Sequence, residues 1–382
     1  MPTVVYQVQV GWRFEPPFWY ETFGDTAYDD ITGDVKSISI RRGRSSDMGA
    51  MQQGVCTIRL TDTTGKYNPE NAASPLNGYL LPMRPVRVRA TYNATTYTLF
   101  YGFISQISHD PSKGSKESTI EAVDASGWLD SRQPTIATEI NQTIGGIATL
   151  IFVDMGLGGT WYDFDLGPVI PSWEADATKG IIEIFSELIA IDHGMLFVSG
   201  SGALTYYEAQ SVYTHSAPAV TFTGAMASAL SSTIIDDGIV NIQSVTRTGG
   251  VEQTANDADS GLRYGYRTGS AITSPYLASD AAALALAKLI IATKKDPQSP
   301  ARNLVLWNAD ATRLVQMLTR EIGDHVAVDE TLGGTEFSGW IAGVEHDIWE
   351  GGKFHKTTFS VQKGMFFITL GTSTIGSIDI VG

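Results

Sequence analysis

The chain has 382 residues, 43% hydrophobic and 18% charged, enough for about two to four domains with sizeable cores. Its net charge of −15 argues against a protein that grips nucleic acid, since phosphate contacts need Lys and Arg, and suits either plain solubility or a wall that a duplex slides past. A single cysteine, Cys56, excludes an intramolecular disulfide and a thiolate metal cluster.

The N-terminal run MPTVVYQVQVGWRF has no basic stretch followed by an apolar core, so no signal peptide is expected. No apolar run reaches the roughly 18–20 residues that cross a bilayer, and Lys288 interrupts the Ala/Leu-rich stretch from Asp280 to Ala292. A soluble chain made in a reducing compartment is the expectation. The 39 glycines, against about 27 at the usual frequency of roughly 7%, imply many tight turns between short strands.

In chain order, residues 1 to about 130 read as β. Apolar side chains fall at every second position over Val35–Ile40 and Val55–Leu60, and Pro85–Ala90, Tyr97–Ile107 and Thr119–Val123 continue the pattern. Turn clusters at Thr61–Gly65 and Asp110–Gly114 separate these strands, as in a small barrel or sandwich. From about 131 the pattern changes. Gln142–Phe152 reads as a short helix, and Asp176–Ile191 as a longer one with Ile181, Ile184, Phe185, Leu188 and Ile191 on one face. Residues 194–207 read as a hairpin turned by Ser199–Gly202, with Met195, Phe197, Leu204 and Tyr206 sharing a buried face. Residues 232–248 read as strand and 251–274 as a polar loop. Residues 279–294 and Asp310–Glu321 read as helices, and 324–362 returns to β.

An internal repeat organises these elements. Residues 102–127 align without a gap on 339–364, with identities at Gly102/Gly339, Ile104/Ile341, His109/His346, Asp110/Asp347, Gly114/Gly351, Lys116/Lys353 and Gly127/Gly364. Phe103 faces Trp340 and Ile107 faces Val344, apolar for apolar. Upstream, Val86-Arg-Val88 corresponds to Val326-Ala-Val328, with a loop three residues shorter in the second copy. The fold class expected is therefore mainly β with α/β parts: two related β-barrels in one chain, separated by a mixed α/β domain. Three such chains can build a ring of near six-fold symmetry from a three-fold assembly, a pseudo-hexameric trimer.

The sequence resembles the tail-tip or baseplate hub proteins of tailed phages. In the first barrel the resemblance is carried by Thr57-Ile-Arg-Leu-Thr-Asp62, Gly65-Lys-Tyr-Asn-Pro69 with Asn71, Met83-Arg-Pro-Val-Arg87, Phe100-Tyr-Gly-Phe-Ile104 and Ile120-Glu-Ala-Val-Asp124. Asn241, Arg247, Ser260, Tyr264-Gly-Tyr-Arg267 and the helix from Asp280 carry it in the middle. Ile322-Gly-Asp324, Val326, Phe337-Ser-Gly-Trp-Ile341 and Glu345-His346 carry it in the second barrel. It covers roughly residues 30–364. The resemblance implies a first barrel over 1–130, an interleaved α/β domain over 131–217 and 249–307, and a second barrel split between 218–248 and 308–364. Residues 365–382 depart from the family pattern: Met365-Phe-Phe-Ile-Thr-Leu370 and the Gly/Ser/Thr-rich stretch after it read either as a tail docking on a neighbouring subunit or as a last edge strand. It also implies a homotrimer in the virion, made in the host cytoplasm. Such a trimer stacks beneath the tail tube or a distal tail ring, near the tape measure protein, with fibre or tip proteins below and DNA passing through the lumen.

Candidate chemistry is sparse. His109-Asp110 and His346-Asp347 are adjacent on strands, so each pair points to opposite faces and neither Asp orients its His. His193 reads as a cation near a helix C-terminus. There is no HExxH, and the six histidines give no ligand spacing. Gly156–Gly159 lacks the strand–turn–helix setting of a dinucleotide site. For a cell-wall hydrolase, Asp163 and Asp165 beside Trp161 and Tyr162, with Trp173-Glu174 nearby, are the best carboxylates. For a receptor- or saccharide-binding tail protein, Trp19, Trp161 and Trp173 are the candidate aromatics. The leading expectation is a structural protein with no catalytic residue, cofactor or metal.

Overall fold

The computed structural model describes residues 2–14, 28–43, 52–110, 116–213, 217–227, 229–230, 238–297, 302–330 and 335–363. Trp19, Gly114, Gly364, residues 232–237 of the expected strand and the 365–382 tail lie outside these.

The alternating segments form strands as expected, and they assemble into two six-strand units. In the first, the spatial order is Val35–Gly43, Val55–Thr61, Glu117–Val123, Thr95–Asp110, Pro85–Tyr92 and Val5–Val10. In the second it is Ala229–Leu230, Arg302–Trp307, Phe354–Lys363, Thr335–Trp349, His325–Glu330 and Val220–Thr223. Taken along the repeat, the neighbour order is the same. Only the last strand differs in direction: Val5–Val10 runs antiparallel to its neighbour, whereas Val220–Thr223 runs parallel.

Register confirms the repeat in detail. Val86 stands opposite Gly102, and Val326 opposite Gly339. The glycine is required at the first of these, because a Cβ at Gly102 would lie 2.2 Å from the Val123 carbonyl oxygen. Both long strands carry a one-residue irregularity at the same place, at Ser105 and at Ala342. Beyond the turn, however, the ungapped alignment runs two residues out. His109 pairs with Ser118 while His346 pairs with Thr357, so Lys116 and Lys353 are not equivalent. The second hairpin carries its pairing further, to Trp349 opposite Phe354, whereas the first ends at Asp110 opposite Glu117, and a gap-free comparison cannot represent the added residues.

The two closed barrels expected from the sequence are instead open sheets. Among the described residues no pairing returns Val5–Val10 to Val35–Gly43, and none joins Val220–Thr223 to Ala229–Leu230. The outer edge of Val35–Gly43 pairs with Thr335–Trp349 of the second unit, which merges both into one 13-stranded sheet.

Between the units lie helices and smaller sheets. The helix expected over Gln142–Phe152 spans Ile144–Asp154, started by the Thr143 hydroxyl accepting from Gly146 N at 3.0 Å. The next spans only Ile181–Ile189 rather than starting at Asp176. The Asp176 carboxylate closes a turn by accepting from Thr178 N, and Gly180 sits so tightly against the Asp130 carbonyl (2.1 Å for an added Cβ) that the chain enters the helix only there. Residues 251–274, read as a polar loop, contain strand Gln253–Asn256, helix Ala258–Tyr264 and strand Ile272–Ser274. These pack with strand Ile242–Arg247 and helix Asp280–Lys294 around Val245, Ala283, Leu286 and Ile290. The segments are short and carry few apolar residues, so periodicity alone does not reveal them.

The hairpin Met195–Val198/Leu204–Tyr207 forms, but its faces differ from the expectation. Val198 pairs with Leu204 and Phe197 with Thr205, so Leu204 and Tyr206 share a face with Leu196 and Val198. That face enters the core of the intervening domain, and Met195 and Phe197 enter the core of the second unit. A run that is apolar at every position has no alternation from which to read a face, because both faces are buried. Helix Ala311–Thr319 also bridges: Leu314 and Leu318 pack into the first unit's core, Met317 into the second's.

Candidate functional site

A concentration of buried polar chemistry lies at the seam between the two units. It arises because Val35–Gly43 adds itself to the part of Thr335–Trp349 that follows the irregularity at Ala342. Across the seam Arg41 Nε lies 2.7 Å from Glu345 Oε1, and Ser39 Oγ donates to Asp347 Oδ1 at 2.9 Å. The Arg41 pair is exposed and worth about 0.2–1 kcal/mol. Arg42 differs: its side chain is 3% exposed. Its Nη1 donates to Glu321 at 2.8 Å and is 3.3 Å from the Val198 carbonyl, so one guanidinium ties the first unit to the hairpin and to the second unit. The other Glu321 oxygen accepts from Gly200 N at 2.9 Å.

Under the seam lies a closed polar network. His346 Nδ1 is 3.0 Å from His355 Nε2 and 3.0 Å from Thr357 Oγ1, and Tyr6 Oη is 2.7 Å from His355 Nδ1. Both imidazoles are buried. Burial holds His355 down at about 3, and burial followed by the neighbouring His355 and Arg42 charges holds His346 well below the usual histidine range. Both rings are therefore neutral at pH 7 and link the second unit to Tyr6 of the first. His109, at the corresponding place in the first unit, meets Ser118 Oγ at 2.8 Å and Asp62 at 3.4 Å. Adjacent Asp347 faces the other way, toward Ser39 and Lys356, so the His-Asp pair forms no relay. Sequence reasoning missed the His346–His355 contact. The available signal was two histidines nine residues apart on either side of a turn.

The carboxylates suggested for a hydrolase are not brought together as a sugar site. Asp163 is exposed on strand Tyr162–Phe164, beside an open cleft of about 400 Å³ that also includes Ser199, Thr205, Tyr207 and Glu321. Asp165 accepts from Glu208 N at 3.0 Å, which uses it to hold a loop. Burial, then the charges of Asp163, Asp324 and Glu321, push the Tyr207 phenol up to about 12. Trp173 is 2% exposed and belongs to the core, and Trp161 stacks on Phe103 at 6.4 Å, so neither offers an open platform. Gly156–Gly159 follows a helix rather than a strand. His193 takes a positive φ of 62° just beyond helix Ile181–Ile189, where its backbone N–H donates to the Ile189 carbonyl. Burial raises the Cys56 thiol, which keeps it protonated. Among the described residues no group of three or more His, Cys, Asp or Glu could hold a metal ion, and no helix is long and apolar enough to cross a membrane.

Two edge-joined sheets with an interleaved α/β insertion define a fold, and that fold is the one found in phage tail proteins. No family model matches the sequence, and no curated protein matches it. Among solved structures, the chain is similar to the 43 kDa tail protein of prophage MuSo2 from Shewanella oneidensis, at 13% identity and a TM-score of 0.64, over 94% of this chain and 98% of that one. It is similar to the tail protein from Neisseria meningitidis MC58 at 12% identity and a TM-score of 0.65, over 95% and 98%. Prophage tail protein gp18 from Listeria monocytogenes follows at 11% identity and 0.52, over 94% and 95%.

Proposed function

We propose that the chain is the structural hub of a phage tail tip. Three copies surround the DNA exit channel, each giving two repeats to a ring of near six-fold symmetry that adapts a hexameric tail tube or distal tail ring to trimeric tip proteins. The observation that carries this reading is the strand pairing of two like-ordered repeats within one chain, in a fold shared with phage tail proteins. A net charge of −15 suits a lumen through which DNA passes without binding. The pairings support boundaries that differ from the sequence expectation. Strand Ile242–Arg247 goes with the insertion, and Arg302–Trp307 with the second repeat. The reading assigns no catalytic residue.

Three-fold-averaged electron microscopy of the purified oligomer, or of the particle, tests this. The expected result is a ring of three copies and six lobes around a hole of roughly 20 Å or more, the scale of a duplex. A monomer in solution, with no ring in particles, would overturn it.

A further inference from the structure

The two long strands, Thr95–Asp110 and Thr335–Trp349, differ in what lies on their outer edges. Each is flanked on one side by its hairpin partner, Glu117–Val123 or Phe354–Lys363. On the other side each begins paired to a shorter strand, Pro85–Tyr92 or His325–Glu330. That pairing ends just before the irregularity at Ser105 or Ala342. In the second repeat the vacated edge is taken at once by Val35–Gly43, in a register running from Gly343/Gly43 to Trp349/Ser37. In the first repeat no strand takes it among the described residues, and Gln106 and Ser108 are exposed. Half of the backbone N–H and C=O groups of such an edge point outward and need partners. The strand that covers the second repeat, Val35–Gly43, is the outermost strand of the first. Its counterpart in the second repeat is strand Ala229–Leu230, paired to Arg302–Trp307.

We propose that the outer edge of Gln106–His109 is the docking site for a second copy of this chain, which adds the Ala229–Leu230 edge of its second repeat as the next strand. This rests on the ring reading above and deepens it, because it names the surfaces that join one chain to the next. The contact would repeat between chains the pairing that each chain already makes within itself. It is heterologous, so it closes into a ring if the rotation per repeat divides a full turn. Main-chain hydrogen bonds supply its affinity in the manner of strand addition. The irregularity at Ser105 ends one pairing and opens the next.

The test uses the full chain, in sedimentation velocity and in hydrogen exchange at concentrations on either side of assembly. The expected result is that the amides of Gln106–His109 exchange at least tenfold more slowly in the oligomer. The double variant Gln106→Glu, Ser108→Glu should associate at least tenfold more weakly, since it adds carboxylates where two acidic chains meet. Ser108→Thr, with unchanged circular dichroism, should associate as the parent does. If oligomers form but neither the exchange nor the Glu variant's association changes, this edge is not the joint, and the ring reading survives. If the parent chain is monomeric at every concentration and particles carry no ring, both fall.

Discussion

His109 and His346 occupy the same position in the two repeats, each opposite a hydroxyl on the neighbouring strand, Ser118 or Thr357. Their surroundings differ completely. The His109 side chain is 8% exposed beside the buried Asp62 carboxylate, whereas His346 is sealed with a second imidazole beneath a strand from the other repeat. The comparison teaches that local sequence sets the register while the surrounding elements set the polar partner. The same residue in the same hairpin faces a carboxylate in one setting and a neutral imidazole in the other.

Acid should break this comparison most strongly. Both seam histidines have native pKa values depressed below the unfolded value near 6.5, so their contribution to stability is fully present above that pH. It is lost as pH falls toward about 3, because the unfolded chain binds protons that the native state refuses. Each group should cost about 1.4 kcal/mol per pH unit below 6.5, or about 4 kcal/mol for the pair between pH 7.5 and 5. Urea unfolding at several pH values measures this, and His346→Gln should reduce the slope by about half. Next, Arg42→Ala leaves Glu321 unpaired at the junction of three parts of the chain. It should cost about 3 kcal/mol, the low end for breaking a buried pair, because the Glu321 side chain is 31% exposed. A similar loss, about 3 kcal/mol by the same assay, is expected for both Leu196→Ala and Phe197→Ala. A smaller effect for either would mean that one face of the hairpin is less well packed than its burial implies.

Thr357→Val and Ser118→Ala sharpen the contrast at lower amplitude. The first removes a hydroxyl from the buried imidazole network and should cost about 1–3 kcal/mol. The second removes an equally buried hydroxyl that serves both His109 and Asp62 and should also cost about 1–3 kcal/mol. The smallest effect is expected for Asp163→Asn, on an exposed strand position. Its melting temperature should match the parent's, and so should its oligomer distribution.

Much of the β framework is legible in the sequence because alternation and turn residues act locally. Glycines 102 and 339 mark the repeat since each stands opposite a valine, and at Gly102 the strands approach too closely for a side chain. What escapes is whatever depends on a second element. The hairpin's buried face is ambiguous because Met195–Val198 is apolar throughout, and the two-residue offset after the turn hides behind coincident lysines. The polar seam is invisible for the same reason. Nothing near Arg42 says that Glu321 will meet it, and only the packing of helix Ala311–Thr319 and the hairpin brings them together. Trp173 misleads in the opposite sense, since an aromatic next to a carboxylate reads as a surface feature until the core closes over it.

The insertion between Leu230 and Arg302 has a consequence for synthesis. The strands of the first repeat have all emerged by Val123, but the second repeat cannot assemble its sheet until Lys363 has been made. At about 5–20 residues per second, the nascent chain therefore waits on the order of 10–50 s between the two events. During that interval the outer edge of Val35–Gly43 stands bare on the ribosome, a template for any passing strand. The order of translation makes this the edge's most exposed moment, and a chaperone that shields it would raise the yield of native protein.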